Sequence, residues 1–232
     1  MRDENEPGAN TPPNDPALAE AQARVPFLGA GVSATVIVMC ALILATHAVD
    51  AWAQSTGNVL HGYIMWAGGL MTAREAFGAP EAPLGGFSPY VLHVFVYGGW
   101  WHAFLNVGAL LAFGSPAAKP FGRGISAVAG FLAFYFTCAI AGAGLHAAVH
   151  LNDPTIMVGA STAVSGVLAA AGWAQGGRMG MLRLAVPWLL INAAIAVAGQ
   201  FYPIPIAWAG HVGGLLAGML LYPVFVRVFR RS

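Results

Sequence analysis

The sequence predicts an all-α, polytopic membrane protein, and two observations carry that prediction. First, 58% of its 232 residues are hydrophobic and only 8% are charged, whereas soluble proteins carry about 25% charged residues. The mean hydropathy is correspondingly high, at +0.68. Second, six stretches long enough to cross a bilayer as helices contain no Asp, Glu, Lys or Arg. A bundle of six transmembrane helices is therefore expected.

The predicted elements divide the chain into a tail and a membrane domain. Residues 1–25 are polar and rich in proline, and we expect them to form a disordered cytoplasmic tail. Residues 26–232 form the six-helix membrane domain, in which the long, apolar outer loop 50–99 is expected to lie in the membrane interface. The six spans in chain order are 27–49, 100–118, 125–149, 157–175, 184–201 and 206–226.

The basic residues predict the orientation of these spans. Arg74 alone falls in an outer loop, and the other Lys and Arg residues lie before span one, between spans two and three, between spans four and five, or after span six. By the positive-inside rule both termini are cytoplasmic. The expected localisation is multi-pass, in a bacterial plasma membrane. A net charge of +1 and the absence of a Gly-Lys-Ser/Thr phosphate loop give no support for a nucleic-acid or nucleotide partner.

Four polar residues inside the spans point to chemistry, because polar groups at membrane depth are costly and tend to mark function. In the predicted orientation His102, Asn106, Ser161 and His211 all lie near the outer ends of their spans. At about 1.5 Å per helical residue they share a depth of about 5–10 Å below the interface. We therefore expect Ser161 and His211 to meet, since a serine hydroxyl becomes a nucleophile only when a base accepts its proton.

Glycines allow the close helix packing that this meeting requires. Small residues at regular spacing let helix backbones approach one another in membranes, and they surround both Ser161 and His211. The acidic residues all lie outside the spans, and no span contains Lys. A triad with an intramembrane carboxylate and a Ser-Lys pair are thereby excluded, and a Ser161–His211 dyad is expected, with His211 as base and then acid. The Ser161 N–H, His102 and Asn106 are the candidate oxyanion donors. The glycines concerned are Gly159, Gly166, Gly210, Gly213, Gly214 and Gly218.

These motifs together resemble the rhomboid intramembrane serine proteases over residues 27–226. Trp101-His102-Ala103-Phe104-Leu105-Asn106 is similar to the family's HxxxN, Gly159-Ala160-Ser161 to its GxS, and His211 with Gly214 and Gly218 to its HxxGxxxG. The resemblance implies a serine endopeptidase that cuts transmembrane protein substrates within the lipid bilayer. It implies Ser161 as nucleophile, His211 as general base, and His102 with Asn106 as oxyanion stabilisers. Substrate entry is implied near span five, under loop 201–205, and neither cofactor nor metal is implied.

The sequence also departs from the family pattern at two positions beside the nucleophile. Thr162 stands where the family usually has glycine after its serine, which reduces backbone freedom. Ser165 stands where many members carry an aromatic residue that stacks on the catalytic histidine. The support of His211 is thus left open by the sequence.

Alternative interpretations remain for these residues. Ser161 taken alone is compatible with a packing role, Ser165 is a rival nucleophile, and His102 and Asn106 could hydrogen-bond between helices. The alternative function is a catalytically inactive rhomboid-like protein that binds transmembrane clients. A haem or metal protein that uses paired histidines and a transporter are further alternatives, although no intramembrane ion-coupling acid is present.

Overall fold

The structure is a computed structural model, and it describes residues 33–202 and 204–230. These residues are mostly α-helical. The predicted disordered tail, residues 1–25, lies outside the described residues.

The described part of the chain contains seven helices and one small strand pair. The helices are α1 Ala34–Ser55, α2 Leu60–Gly68, α3 Ser88–Leu92, α4 Trp100–Ala118, α5 Ile125–Val149, α6 Ser161–Ala198 and α7 Trp208–Phe229. The strands are β1 Leu70–Met71 and β2 Ile156–Met157, and short 3-10 turns occupy Arg74–Phe77, His93–Phe95 and Lys119–Phe121.

Four of these helices, α1, α5, α6 and α7, are long and apolar enough to cross a membrane. A fifth candidate arises if Ser88–Phe95 and Trp100–Phe121, which meet at 92°, are counted as one broken span. These helices support a polytopic, all-α integral membrane protein. The count of six spans stays a prediction. Span one was predicted to end at about residue 49, and helix α1 continues to Ser55.

Helix α6 is broken in its middle by two glycines. Gly176 and Gly177 leave the helical conformation, and Gly177 has a φ of +56°, which glycine adopts without steric cost. A Cβ on Gly172 would lie 2.5 Å from the carbonyl oxygen of Gly180, so the chain folds back on itself here. We call residues 161–175 the first arm and residues 178–198 the second arm. The two arms correspond to the predicted spans four and five.

The first arm packs against α7 through glycines. A Cβ on Gly218 would lie 2.5 Å from the Cα of Gly166, and one on Gly214 would overlap the Thr162 carbonyl. Backbones this close leave no space for side chains between them. The close approach of spans four and six expected from the sequence is present.

The strand pair connects the residues just before the first arm to the region 50–99 that was predicted as an outer loop, which we call the outer segment. Leu70 pairs with Met157 and Met71 with Ile156 in antiparallel register. The Thr72 hydroxyl, just past β1, bonds the Asp153 carbonyl and the Thr155 hydroxyl. The outer segment contains helices α2 and α3. Its bonds to residues 153–157 hold in place the chain that leads to Ser161.

Candidate active site

Ser161 is the first residue of α6 and follows a tight turn. Gly159 has a φ of +102° in this turn, and a Cβ there would lie 2.5 Å from His102 Nε2. The Gly159 N–H donates to the His93 carbonyl at 2.8 Å. The Ala160 N–H donates to the Tyr97 hydroxyl at 3.3 Å. Both the glycine and these two bonds hold the nucleophile candidate at the N-terminus of the helix.

The structure brings Ser161 and His211 together. Ser161 Oγ lies 2.8 Å from His211 Nε2, although the two residues are 50 positions apart. His211 lies in the first turn of α7 and is 8% exposed, and Ser161 is partly exposed. The distance is that of a hydrogen bond between a hydroxyl and a ring nitrogen.

The other side of the His211 ring contacts the second arm. His211 Nδ1 lies 2.8 Å from Asn192 Oδ1, and the Trp188 ring is 5.5 Å from the His211 ring at 33°. Neither residue was predicted from the sequence, which led us to consider a carboxylate partner and an aromatic at position 165 beside the histidine. Asn192 did carry a usable signal, since an amide in an apolar span is costly without a partner.

Ser165 is held by two bonds and is 1% exposed. Its hydroxyl donates to the Ser161 carbonyl at 2.7 Å and accepts from the Trp188 indole N–H at 2.9 Å. No bond to a base activates it among the described residues, so the geometry favours Ser161 over this rival. The aromatic ring that the rhomboid resemblance led us to expect at position 165 is absent there, and the Trp188 ring of the second arm lies beside His211.

Thr162 also has a partner that the sequence did not suggest. Its hydroxyl lies 2.8 Å from His93 Nε2, and His93 Nδ1 lies 2.8 Å from the Pro89 carbonyl. A carbonyl only accepts, so Nδ1 carries the proton and Nε2 accepts from Thr162. Both side chains are fully buried. This bond joins the α3 end of the outer segment to the first arm beside the nucleophile candidate.

His102 and Asn106 lie on α4, and the structure places them differently. The His102 ring lies against Gly159 and makes an edge contact with Tyr97 at 5.2 Å. The Asn106 amide nitrogen instead donates to the His102 carbonyl of its own helix at 2.9 Å. Asn106 Oδ1 is buried and has no hydrogen-bond partner among the described residues. His102 is thus beside the turn before Ser161, while one N–H of the Asn106 amide is bonded within α4.

A family model described as the Rhomboid domain matches residues 84–228, more than half of the chain. The chain belongs to the rhomboid family. The resemblance found in the sequence is thereby confirmed. Members of the rhomboid family are generally intramembrane serine proteases. A search of curated proteins returned no match.

The rhomboid match includes every residue predicted for the site, from His102 on α4 to His211 on α7. It also includes Asn192 and Trp188 on the second arm. Within residues 33–202 and 204–230, no group of three or more His, Cys, Asp or Glu side chains is arranged to hold a metal ion. Cys40 and Cys138 are buried and free.

Proposed function

We propose that this rhomboid is an active intramembrane serine endopeptidase that hydrolyses peptide bonds in or near transmembrane segments of membrane-protein substrates. The observation that carries the proposal is the 2.8 Å contact between Ser161 Oγ and His211 Nε2. A serine beside an imidazole has a base for its proton, which is the requirement for nucleophilic catalysis. Ser161 and His211 are the proposed catalytic residues.

The proposed reaction has two halves. Ser161 Oγ attacks the scissile carbonyl carbon while His211 Nε2 accepts the hydroxyl proton. His211 then gives that proton to the leaving amine as the C–N bond breaks, and an acyl-enzyme remains. A water molecule, deprotonated by His211, hydrolyses the ester and returns Ser161 to its starting state.

The oxyanion formed in each half needs hydrogen-bond donors. The Ser161 N–H is a natural donor, because the first N–H groups of a helix lack intrahelical acceptors and carry partial positive charge. His102, which lies against Gly159, is the second proposed donor. Asn106 is the third, because its Nδ2 carries two N–H groups and only one of them donates to the His102 carbonyl. Each aligned donor contributes about 3–4 kcal/mol to transition-state stabilisation.

We also propose a topology of six membrane spans. Counting both arms of α6 and the α4 span gives six spans, with both termini cytoplasmic. The break at Gly176–Gly177 supports this count, because Arg178 and Arg183 follow it where the positive-inside rule expects a cytoplasmic loop. The membrane is proposed to be a bacterial plasma membrane.

Substrates are proposed to be transmembrane proteins that enter beside the second arm. Phe201 and Tyr202, just past this arm, are 75% and 70% exposed. Large exposed aromatic residues near a span end suit contact with lipid or with an incoming transmembrane segment.

The test is cleavage of a model transmembrane substrate by the purified protein in liposomes. Ser161→Ala and His211→Ala should each abolish cleavage while leaving helical content and the melting temperature near the wild type. Ser126→Ala is a matched control, because its hydroxyl bonds the Phe229 carbonyl and touches neither proposed catalytic residue. Cleavage that persists in Ser161→Ala would contradict the proposal.

A serine-reactive fluorophosphonate probe separates the two serines. The probe should label the wild type and Ser165→Ala, but not Ser161→Ala. Labelling that follows Ser165 instead would reassign the nucleophile. A wild-type protein that takes no label, cleaves nothing and still captures transmembrane clients would favour the inactive, client-binding alternative.

A further inference from the structure

The His211 ring is bound on both of its nitrogen atoms, and the second partner comes from the second arm. Nε2 faces Ser161 Oγ, and Nδ1 faces Asn192 Oδ1 at 2.8 Å. Asn192 is 1% exposed, so its amide is costly unless its donors and acceptor are used. The contact with His211 uses the acceptor of this buried amide.

The orientation of the Asn192 amide is fixed by a separate bond. Its Nδ2 donates to the Trp188 carbonyl, one helical turn earlier, at 2.8 Å. Because a carbonyl cannot donate, the nitrogen end of the amide must point to Trp188, and the oxygen end must point to His211. The oxygen can only accept, so His211 Nδ1 must carry the ring proton.

This proton assignment leaves the lone pair of a neutral imidazole on Nε2. That is the atom that lies 2.8 Å from Ser161 Oγ. The opposite tautomer would place two acceptors against each other at Asn192 and would leave no base for the serine. We infer that Asn192 is a positioning residue, which holds the His211 imidazole in the tautomer and orientation that let Nε2 accept the Ser161 proton.

Trp188 supports the same arrangement from the same arm. Its carbonyl holds the Asn192 amide, its indole N–H donates to Ser165 Oγ, and its ring lies 5.5 Å from the His211 ring. Ser165 in turn bonds the Ser161 carbonyl. The second arm is thus joined to the first arm and to α7 around the imidazole. Moving this arm away would remove both the amide and the ring from His211.

A neutral amide differs from the carboxylate of a serine-histidine-aspartate triad. It orients the imidazole but provides no negative charge for the imidazolium that forms during attack. The role assigned to Asn192 is orientation alone. The inference rests on the proposed function, in that orientation matters only if His211 acts as a base.

Three variants test the inference. Asn192→Leu keeps the volume and removes both the acceptor and the donor, and Asn192→Asp keeps an oxygen facing His211 but removes the N–H that donates to the Trp188 carbonyl. Gln200→Leu is the matched control, because Gln200 is an exposed amide just past the second arm whose nitrogen contacts the Ala196 carbonyl. All three are made in the full chain and compared by helical content and melting temperature.

The first readout is the ¹⁵N NMR spectrum of the histidine rings, with the His211 signals assigned by their loss in His211→Gln. We expect a protonated Nδ1 and an unprotonated Nε2 in the wild type, Asn192→Asp and Gln200→Leu. Asn192→Leu should show a mixture of tautomers. An Asn192→Leu spectrum with the wild-type tautomer alone would overturn the inference. This readout requires no substrate, so its result is independent of the proposed protease activity.

The second readout is kinetic. Asn192→Leu should lower kcat for the transmembrane substrate about 10- to 100-fold, and the fluorophosphonate labelling rate with it, at nearly constant KM. Asn192→Asp should stay within about tenfold of the wild type. Equal loss in the Leu and Asp variants would indicate a packing role and overturn the inference. If the wild type cleaves no transmembrane substrate, the proposed function fails, while the ring signals still decide the role of Asn192.

Discussion

The residues around Ser161 show how one backbone turn sets the chemistry of a side chain. Gly159 adopts a φ of +102° two positions before the serine, a region that residues with a Cβ rarely occupy. The same position faces His102, whose Nε2 would lie 2.5 Å from any added Cβ. Glycine is therefore favoured at position 159 for two independent reasons, which are the positive φ of the backbone and the closeness of His102 on α4.

Gly159→Ala should consequently reduce cleavage about 100-fold or more, because a shift of about 1 Å in a reacting group costs about that much. Gly98→Ala is the matched control, since a Cβ added to Gly98 would have nothing within 4 Å of it. The measurement is kcat/KM on the transmembrane substrate for both variants. Comparable activity in Gly159→Ala and Gly98→Ala would mean that the turn tolerates a side chain.

The polar residues Ser161 and His211 could be predicted from the sequence as candidate site residues, whereas Asn192 and Trp188, which contact His211 only through helix packing, could not. Ser161 and His211 stood out as polar groups in apolar spans at one depth, and the structure brings them within 2.8 Å. Asn192 and Trp188 contact His211 because of how the second arm is rotated about its axis. Rotation follows from packing against neighbouring helices, which residue spacing within one helix does not specify.

At the scale of the helices, glycine contacts set the distance between the first arm and α7. Gly166 and Gly218 touch through their backbones, and Gly214 touches the Thr162 carbonyl. Ser161 and His211 sit at one end of these two helices, so the separation of the helices fixes the separation of the two side chains. The sequence predicted this packing from the glycines themselves, and the spans of α4 and α5 agree with the predicted ranges 100–118 and 125–149.

Gly218→Ala tests this dependence. The added methyl would overlap Gly166 backbone atoms, and relief of such overpacking costs about 1–3 kcal/mol of stability. Forcing the helices apart should also lengthen the Ser161–His211 contact and lower cleavage by at least about tenfold. The melting temperature in detergent and the cleavage rate provide the two measurements.

Gly108→Ala is the matched control for this variant. Gly108 is a glycine within helix α4, is exposed, and has nothing within 4 Å of an added Cβ. Alanine is favoured over glycine in a helix by up to about 1 kcal/mol, so this variant should be as stable as the wild type or slightly more so. Equal melting temperatures and rates for the two variants would show that α7 does not depend on its glycine contacts.

At the scale of the whole molecule, the topology depends on whether α6 crosses the membrane once or twice. The first arm extends about 22 Å and the second about 31 Å at 1.5 Å per residue, against a hydrocarbon core of about 30 Å. Gly172 and Gly180 touch beside the break, and Trp188 of the second arm bonds Ser165 of the first arm. The arms therefore run in opposite directions, and their distant ends lie on the same side as Ser161.

Single cysteines at the two ends of the second arm should consequently face opposite sides of the membrane. Met179, near the break, and Tyr202, just past the other end, are 63% and 70% exposed. In a protein whose buried Cys40 and Cys138 are replaced by alanine, an impermeant maleimide applied to intact cells should label Tyr202→Cys. Met179→Cys should be labelled only after the membrane is permeabilised, because the proposed topology places the break, with Arg178 and Arg183 beside it, on the cytoplasmic side. If both cysteines react from the same side, the second arm does not cross the bilayer and the six-span topology is wrong.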